Sequence, residues 1–282
     1  MMTKARKVIL FFGIALLIFI FEKIIPFNPY YFYKFHFDVT PESADKFINS
    51  DLVWKDINAY IAHGGGIGEF TYKNSREAFL DSIHRGFRYI ELDLLLTSDG
   101  KILAGHDWVT FKQLTSYPEK TDAPLSSEVV RTLKIDGNQT PLFGEEIANL
   151  MKKYPNTILV TDKMKDYSEL LNQIPYPDRM IVEVFNMRDY LDALEAGVLY
   201  PALSVGGYRN ALRALIYDIP IVTVDVKHFF YRQASLIKLI HDSGTITLGY
   251  FQDFKDRSNP CFFKTYLGSY LDKVYTDSYY VH

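Results

Sequence analysis

From about residue 56 onward, short apolar runs alternate with helix-like segments, and no other feature restricts the fold so tightly. The runs are AYIAHG (59–64), FRYIELD (87–93), NTILVTD (156–162), RMIVEVF (179–185), YPALSV (200–205), IPIVTVD (219–225), GTITLGY (244–250) and DKVYTD (272–277). Nearly continuous hydrophobic character is what parallel strands show when both faces are buried. Between them lie NSREAFLDSIHRG, opened by an Asn/Ser cap and closed by Gly86, then GEEIANLMKKY, DYSELLNQI, MRDYLDALEAG, YRNALRALIY and RQASLIKLIHDSG. Eight strands with intervening helices across 56–282 predict an α/β fold, a (β/α)8 TIM barrel. The stretch 109–142, with Pro118, Pro124 and Pro141, reads as an insertion rather than a barrel unit.

One run breaks the alternation. KILAGH follows the second strand after only a tight turn at Asp99-Gly100. A parallel crossover needs about a dozen residues, so this connection is predicted to be an inserted antiparallel β-hairpin. Read as a two-residue type I′ loop, Asp-Gly pairs Ser98 with Lys101 and sets Asp93 opposite His106. Opposed residues share a face with Cβ atoms about 4.5–5.5 Å apart. Glu91, two residues before Asp93, points the same way. The hairpin is therefore expected to gather Glu91, Asp93 and His106 onto one patch.

An unpaired buried carboxylate is costly, so two of them in an apolar run require a positive partner. At the C-terminal end of a barrel strand they sit where such folds keep their active sites. A hard divalent cation, Ca2+ or Mg2+, relieves their repulsion. His63 ends the first strand, next to the second, and reaches the same mouth beside the glycine run 64–66. Two imidazoles there make an acid/base pair near neutral pH. Asp162, ending the third strand, is either a third ligand or a helix cap. A carboxylate-pair glycosidase is the rival chemistry. It needs its two acids about 5–9.5 Å apart, usually from different strands, whereas Glu91 and Asp93 suit joint ligation better.

Composition narrows the partners. A net charge of -3 argues against a nucleic-acid binder. The single cysteine, Cys261, excludes an internal disulfide framework and a cysteine-based zinc site. At the N-terminus, Lys4, Arg6 and Lys7 in the basic segment 1–7 precede an apolar run from Val8 to Phe21, extended past Glu22 and Lys23 to Phe27. Fourteen helical residues cover about 21 Å, short of the roughly 30 Å hydrocarbon core, but the extension brings 8–27 to spanning length. This reads as an uncleaved transmembrane helix with a cytoplasmic N-terminus and an extracytoplasmic domain. A cleaved signal and a buried helix are the alternatives. The linker 28–55 begins with NPYYFYKFHF, an interfacial aromatic belt or a strand packed on the domain.

The order His63-Gly64-Gly65, Asn74-Ser75, Glu77-Ala78-Phe79, Glu91-Leu92-Asp93, Thr97-Ser98-Asp99-Gly100 and His106-Asp107 resembles the glycerophosphodiester phosphodiesterase family of phospholipase C-like TIM barrels. The likeness covers about 60–280 and continues through TPLFGEEI (140–147), LVTDK (159–163) and VYTD (274–277). It implies a metal-dependent phosphodiesterase acting on glycerophosphodiesters or phospholipid-derived substrates. His63 and His106 would be the acid/base residues, and Glu91 and Asp93 metal ligands with Asp162 as a third. The substrate's own neighbouring hydroxyl would attack first, giving a cyclic phosphate that water then opens.

Two positions depart from the family pattern. Gly64 stands where the family carries a phosphate-binding arginine. Asp162-Lys163-Met164-Lys165 stands where it has E-x-K, leaving Lys163 or Lys165 as the replacement phosphate contact. Glu183 and Lys227, on later strands, are further substrate-binding candidates. The missing arginine also leaves open a barrel that binds without catalysing.

Overall fold

The computed structural model describes residues 57–225, 231–250 and 270–277. Its strands are β1 (Tyr60–Ala62), β2 (Tyr89–Leu96), β3 (Ile102–Ala104), β4 (Ile158–Asp162), β5 (Met180–Val184), β6 (Tyr200–Val205), β7 (Ile221–Asp225), β8 (Ile246–Tyr250) and β9 (Lys273–Thr276). Parallel pairing runs β1-β9-β8-β7-β6-β5-β4-β2, and β1 pairs with β2 to close the ring. Among the described residues, only β3 lies outside it, antiparallel to β2. Each of the eight apolar runs supplies one barrel strand, so the expected (β/α)8 architecture is the observed one.

The helices are α1 (Arg76–His84), α2 (Trp108–Leu114), α3 (Ser127–Thr132), α4 (Gly144–Lys153), α5 (Tyr167–Gln173), α6 (Met187–Glu195), α7 (Tyr208–Ile216) and α8 (Tyr231–Asp242). Ser75 caps α1 by accepting a hydrogen bond from the Ala78 N–H at 3.1 Å, as the sequence predicts. Helices α2 and α3 belong to the insertion after the hairpin. It has a small core of its own, in which Trp108, Phe111, Val130, Ile135 and Phe143 pack on Leu103. Trp108 is thus buried in that core. Lys112 is also fully buried there, its ammonium donating to Thr121 O, Thr121 Oγ1 and Ala123 O.

The pleat of the strands builds the site. Side chains alternate across a strand, so every second residue faces the barrel axis. The inner cluster holds Ile61, Tyr89, Ile158, Val160, Ile181, Ala202, Ile221, Leu248 and Tyr275. Continuing each set toward the C-terminal end gives His63 just past β1, Glu91 and Asp93 on β2, Asp162 on β4, Glu183 on β5 and Asp225 on β7. The interior is apolar at the floor and ionisable at the mouth.

The hairpin register differs from the expected one by a residue. Leu96 pairs with Ile102, Leu95 with Leu103 and Leu94 with Ala104. The Thr97 N–H donates to Lys101 O, which makes the loop Ser98–Asp99–Gly100, with Gly100 at φ 79°. A three-residue loop ending in a left-handed glycine replaces the two-residue type I′ turn. Asp93 therefore lies against Gly105, whose N–H donates to Asp93 O at 2.9 Å, and His106 falls one position beyond.

The candidate membrane span at 8–27, the linker 28–55 and Lys227 lie outside the described residues. Among the described residues, no helix is long and apolar enough to cross a membrane.

Candidate active site

Three carboxylates converge at the mouth. Oxygen atoms of Glu91, Asp93 and Asp162 lie within 4.8 Å of one another. The parallel register brings this about, since Asp93 on β2 pairs directly with Asp162 on β4. Glu91 and Asp93 are almost wholly buried. Glu91 accepts from the Gly64 N–H at 2.7 Å. Asn74 grips Asp93 from both ends, donating Nδ2 to Oδ2 and accepting the backbone N–H on Oδ1, each at 3.0 Å.

Burial, with the charges of Asp93 and Asp162, pushes the Glu91 carboxyl well above its ordinary range. Burial and the Asp93 charge do the same to Asp162. Burial acts on Asp93 in the same sense, but the Lys163 ammonium 2.6 Å away outweighs it and holds this carboxyl below the usual value. Asp162 Oδ1 is buried and, among the described residues, has no hydrogen-bond partner. Helix α5 is capped by Asp166 instead, so the capping alternative for Asp162 falls away. An orphaned oxygen among crowded acids is the donor set of a hard divalent cation, and these three residues fit one.

Each histidine is braced by a carboxylate at Nδ1. His63 ends β1 in a 3-10 turn, with Nδ1 3.0 Å from Asp277 Oδ1 and Nε2 4.0 Å from Glu91 Oε2. His106 follows the hairpin, with Nδ1 on Asp107 Oδ2. Asp107 also caps α2, accepting the Thr110 N–H on Oδ1 at 2.7 Å. Burial opposes its ionisation, but the bonds from Thr110 and His106 prevail and lower its pKa. Tyr72 stands between the imidazoles, its ring centroid 4.5 Å from His63 and 5.3 Å from His106.

The later candidates sort clearly. Lys163, at φ 64°, pairs with Asp93 and donates to His106 O at 3.0 Å, tying the β2 acids to the hairpin. Lys165 turns away to Asp189, 3.4 Å distant, and is largely exposed. Glu183 is inside the barrel, accepting from Thr223 Oγ1 at 2.7 Å, and burial raises its pKa. Three residues escape a reading of motifs as site chemistry: Asp277, Asn74 and Tyr72. Asp277 is 214 positions from its histidine. Asn74 and Tyr72 sit in a loop at positive φ, 50° and 58°.

The place of the family arginine is physically filled. Gly64 has φ 57°, and a Cβ there would lie 2.5 Å from Tyr72 Cα and 2.9 Å from Tyr72 Cδ2. No side chain fits at that position without moving the backbone of the Tyr72 loop.

Known structures repeat the architecture. A glycerophosphoryl diester phosphodiesterase from Parabacteroides distasonis superposes with a TM-score of 0.64 at 18% identity, covering 84% of this chain and 88% of its own. A glycerophosphodiester phosphodiesterase from Agrobacterium tumefaciens gives 0.60 at 14%, covering 78% and 96%. An Oleispira antarctica phosphodiesterase in complex with the product sn-glycerol-3-phosphate gives 0.57 at 16%, covering 77% and 92%. No curated protein sequence matches the chain. The sequence profile of the Glycerophosphoryl diester phosphodiesterase family matches residues 63–250. With that match over most of its length and this barrel, the chain belongs to the glycerophosphoryl diester phosphodiesterase family, whose members are phosphoric diester hydrolases.

Proposed function

We propose that the protein is a divalent-metal-dependent phosphodiesterase that cleaves glycerophosphodiester-like or phospholipid-derived substrates by His/His acid-base catalysis. One observation carries the reading: three carboxylates within 4.8 Å of one another share a barrel mouth with two imidazoles, each held at Nδ1 by an aspartate. Glu91, Asp93 and Asp162 hold the cation, Ca2+ or Mg2+. When bound, it supplies Lewis-acid polarisation of the phosphoryl oxygens.

The chain's own groups do the rest. A carboxylate on Nδ1 fixes each ring's tautomer and leaves Nε2 as the nitrogen for proton transfer. One histidine takes the proton of the attacking hydroxyl and the other protonates the departing alkoxide. Asp107 and Asp277 stabilise whichever ring becomes cationic. Lys163, shared between Asp93 and the His106 carbonyl, supplies a positive charge at the phosphate. Glu183 and Lys227 serve the substrate's alcohol moiety. A small phosphodiester is the natural ligand, since the Oleispira neighbour holds sn-glycerol-3-phosphate. The segment 8–27 anchors the enzyme with this domain on the extracytoplasmic side, which protease accessibility of intact cells would check.

The decisive experiment is hydrolysis of bis(p-nitrophenyl) phosphate by purified protein, with Mg2+ or Ca2+ and with EDTA. Turnover that EDTA abolishes is expected, and His63→Ala or His106→Ala should lower kcat by about 10²–10⁴ while circular dichroism stays unchanged. A binding-only barrel would be silent with either metal, and a glycosidase mechanism would ignore EDTA.

A further inference from the structure

A cavity of about 450 Å³ opens on the same face as the acid cluster, across the barrel from the hairpin, among the ends of β5 to β8. Its volume suits a small polar ligand group, at the lower end of typical sites. Two ring contacts link its wall to the reaction centre. Tyr250 lines the cavity and its ring lies 6.3 Å from Tyr275, which in turn lies 6.0 Å from His63.

The wall is cationic. Arg209 and Arg213 stand one turn apart on α7, so their side chains share a face. Arg213 is only 4% exposed, with Nη1 donating to Asn210 Oδ1 at 3.3 Å. Among the described residues, Arg209 makes no hydrogen bond or ion pair. Asp225 contributes one carboxylate, which offsets one guanidinium and leaves the lining with a surplus positive charge. Gly206 and Gly207, also in the lining, have open space where side chains would stand, so a ligand can approach the backbone.

We infer that this cavity is a subsite for an anionic substituent on the alcohol half of the diester, a phosphate monoester or a carboxylate, read by Arg209 and Arg213. The inference rests on the phosphodiesterase reading and adds a substrate class to it: diesters whose alcohol carries a negative charge of its own. A guanidinium recognises such oxyanions bidentately, and a site built for that contact discriminates against the analogue lacking it.

Two probes differ only in the feature at issue: glycerophosphoglycerol, and glycerophosphoglycerol carrying a terminal phosphate. Titration calorimetry on the full-length, Mg2+-loaded His106→Ala protein, in which turnover is slowed to the background of the titration, is expected to show at least tenfold tighter binding of the phosphorylated probe. Arg209→Gln in that background should remove the preference and leave the Kd for glycerophosphoglycerol within twofold. Equal affinities for the two probes, or an Arg209→Gln effect equal on both, would overturn the subsite. Hydrolysis of the same probes by the wild-type protein is scored separately. Absence of turnover there would sink the phosphodiesterase reading, whereas the calorimetric preference alone decides the subsite.

Discussion

Substituting Gly64 by alanine adds one methyl group at the most crowded point of the active site. The residue sits at φ 57°, where an L side chain costs roughly 1–2 kcal/mol. The new Cβ would meet Tyr72 Cα at 2.5 Å, a backbone atom that no rotamer change can move. Overpacking of that kind adds roughly 1–3 kcal/mol. Gly68 provides the control: it has φ 63° but open space around a Cβ, so Gly68→Ala should carry only the conformational part.

Urea unfolding should therefore place Gly64→Ala about 2–5 kcal/mol below wild type and at least about 1 kcal/mol below Gly68→Ala. The damage also reaches the acids. Gly64 N–H holds Glu91, and Gly64 O accepts from the N–H of Asn74, the residue that grips Asp93. A shift of this loop should weaken Mg2+ binding in calorimetry, while Gly68→Ala binds normally. Equal stability of the two variants, with unchanged metal affinity in Gly64→Ala, would refute the steric account. The same account predicts that Gly64→Arg, which restores the family residue, destabilises the protein instead of improving turnover.

In metal-free protein, Asp162→Asn should be more stable than wild type at pH 8 and no more stable at pH 4. A carboxyl whose folded pKa is raised releases its proton first in the unfolded chain, so wild type loses stability as pH climbs above the ordinary 3.8; thermal melts in EDTA at both pH values check this. Asp277→Asn should lower kcat at least tenfold with little change in KM, because an amide lacks the carboxylate's charge and can donate to Nδ1, which favours the wrong His63 tautomer; an unaltered kcat would remove Asp277 from the machinery. Asp99, held at about 2 by hydrogen bonds from Ser127, stabilises the loop above the ordinary carboxylate pKa and loses that effect as pH falls through its own value. Asp99→Asn should therefore unfold earlier in urea at pH 6, with the gap to wild type closing toward pH 2.

What the sequence reveals follows the range over which each signal acts. Glu91, Asp93 and Asp162 are legible because a period of two places them on the inner face of strands whose apolar residues announce themselves. The hairpin is legible too, but its register hangs on one residue. Gly100 adopts the left-handed conformation at the third loop position rather than the second, and the pairing moves Asp93 from His106 to Gly105. Asp277 carries no local mark, since its partner is 214 residues away and only ring closure unites them. Tyr72 lies in a loop without periodicity, and its place between two imidazoles depends on close packing against Gly64. Lys163 is readable as a site residue, but its ion pair with Asp93 depends on the backbone leaving β4 at positive φ.

Asp107 serves two masters with its two oxygens: one terminates a helix of the insertion, and the other steadies an imidazole. Fraying of α2 would then be felt at His106 before any barrel strand loosened. Turnover would fade while the β-barrel stayed intact, so heating should silence the enzyme ahead of global melting, with the insertion setting the temperature at which it happens.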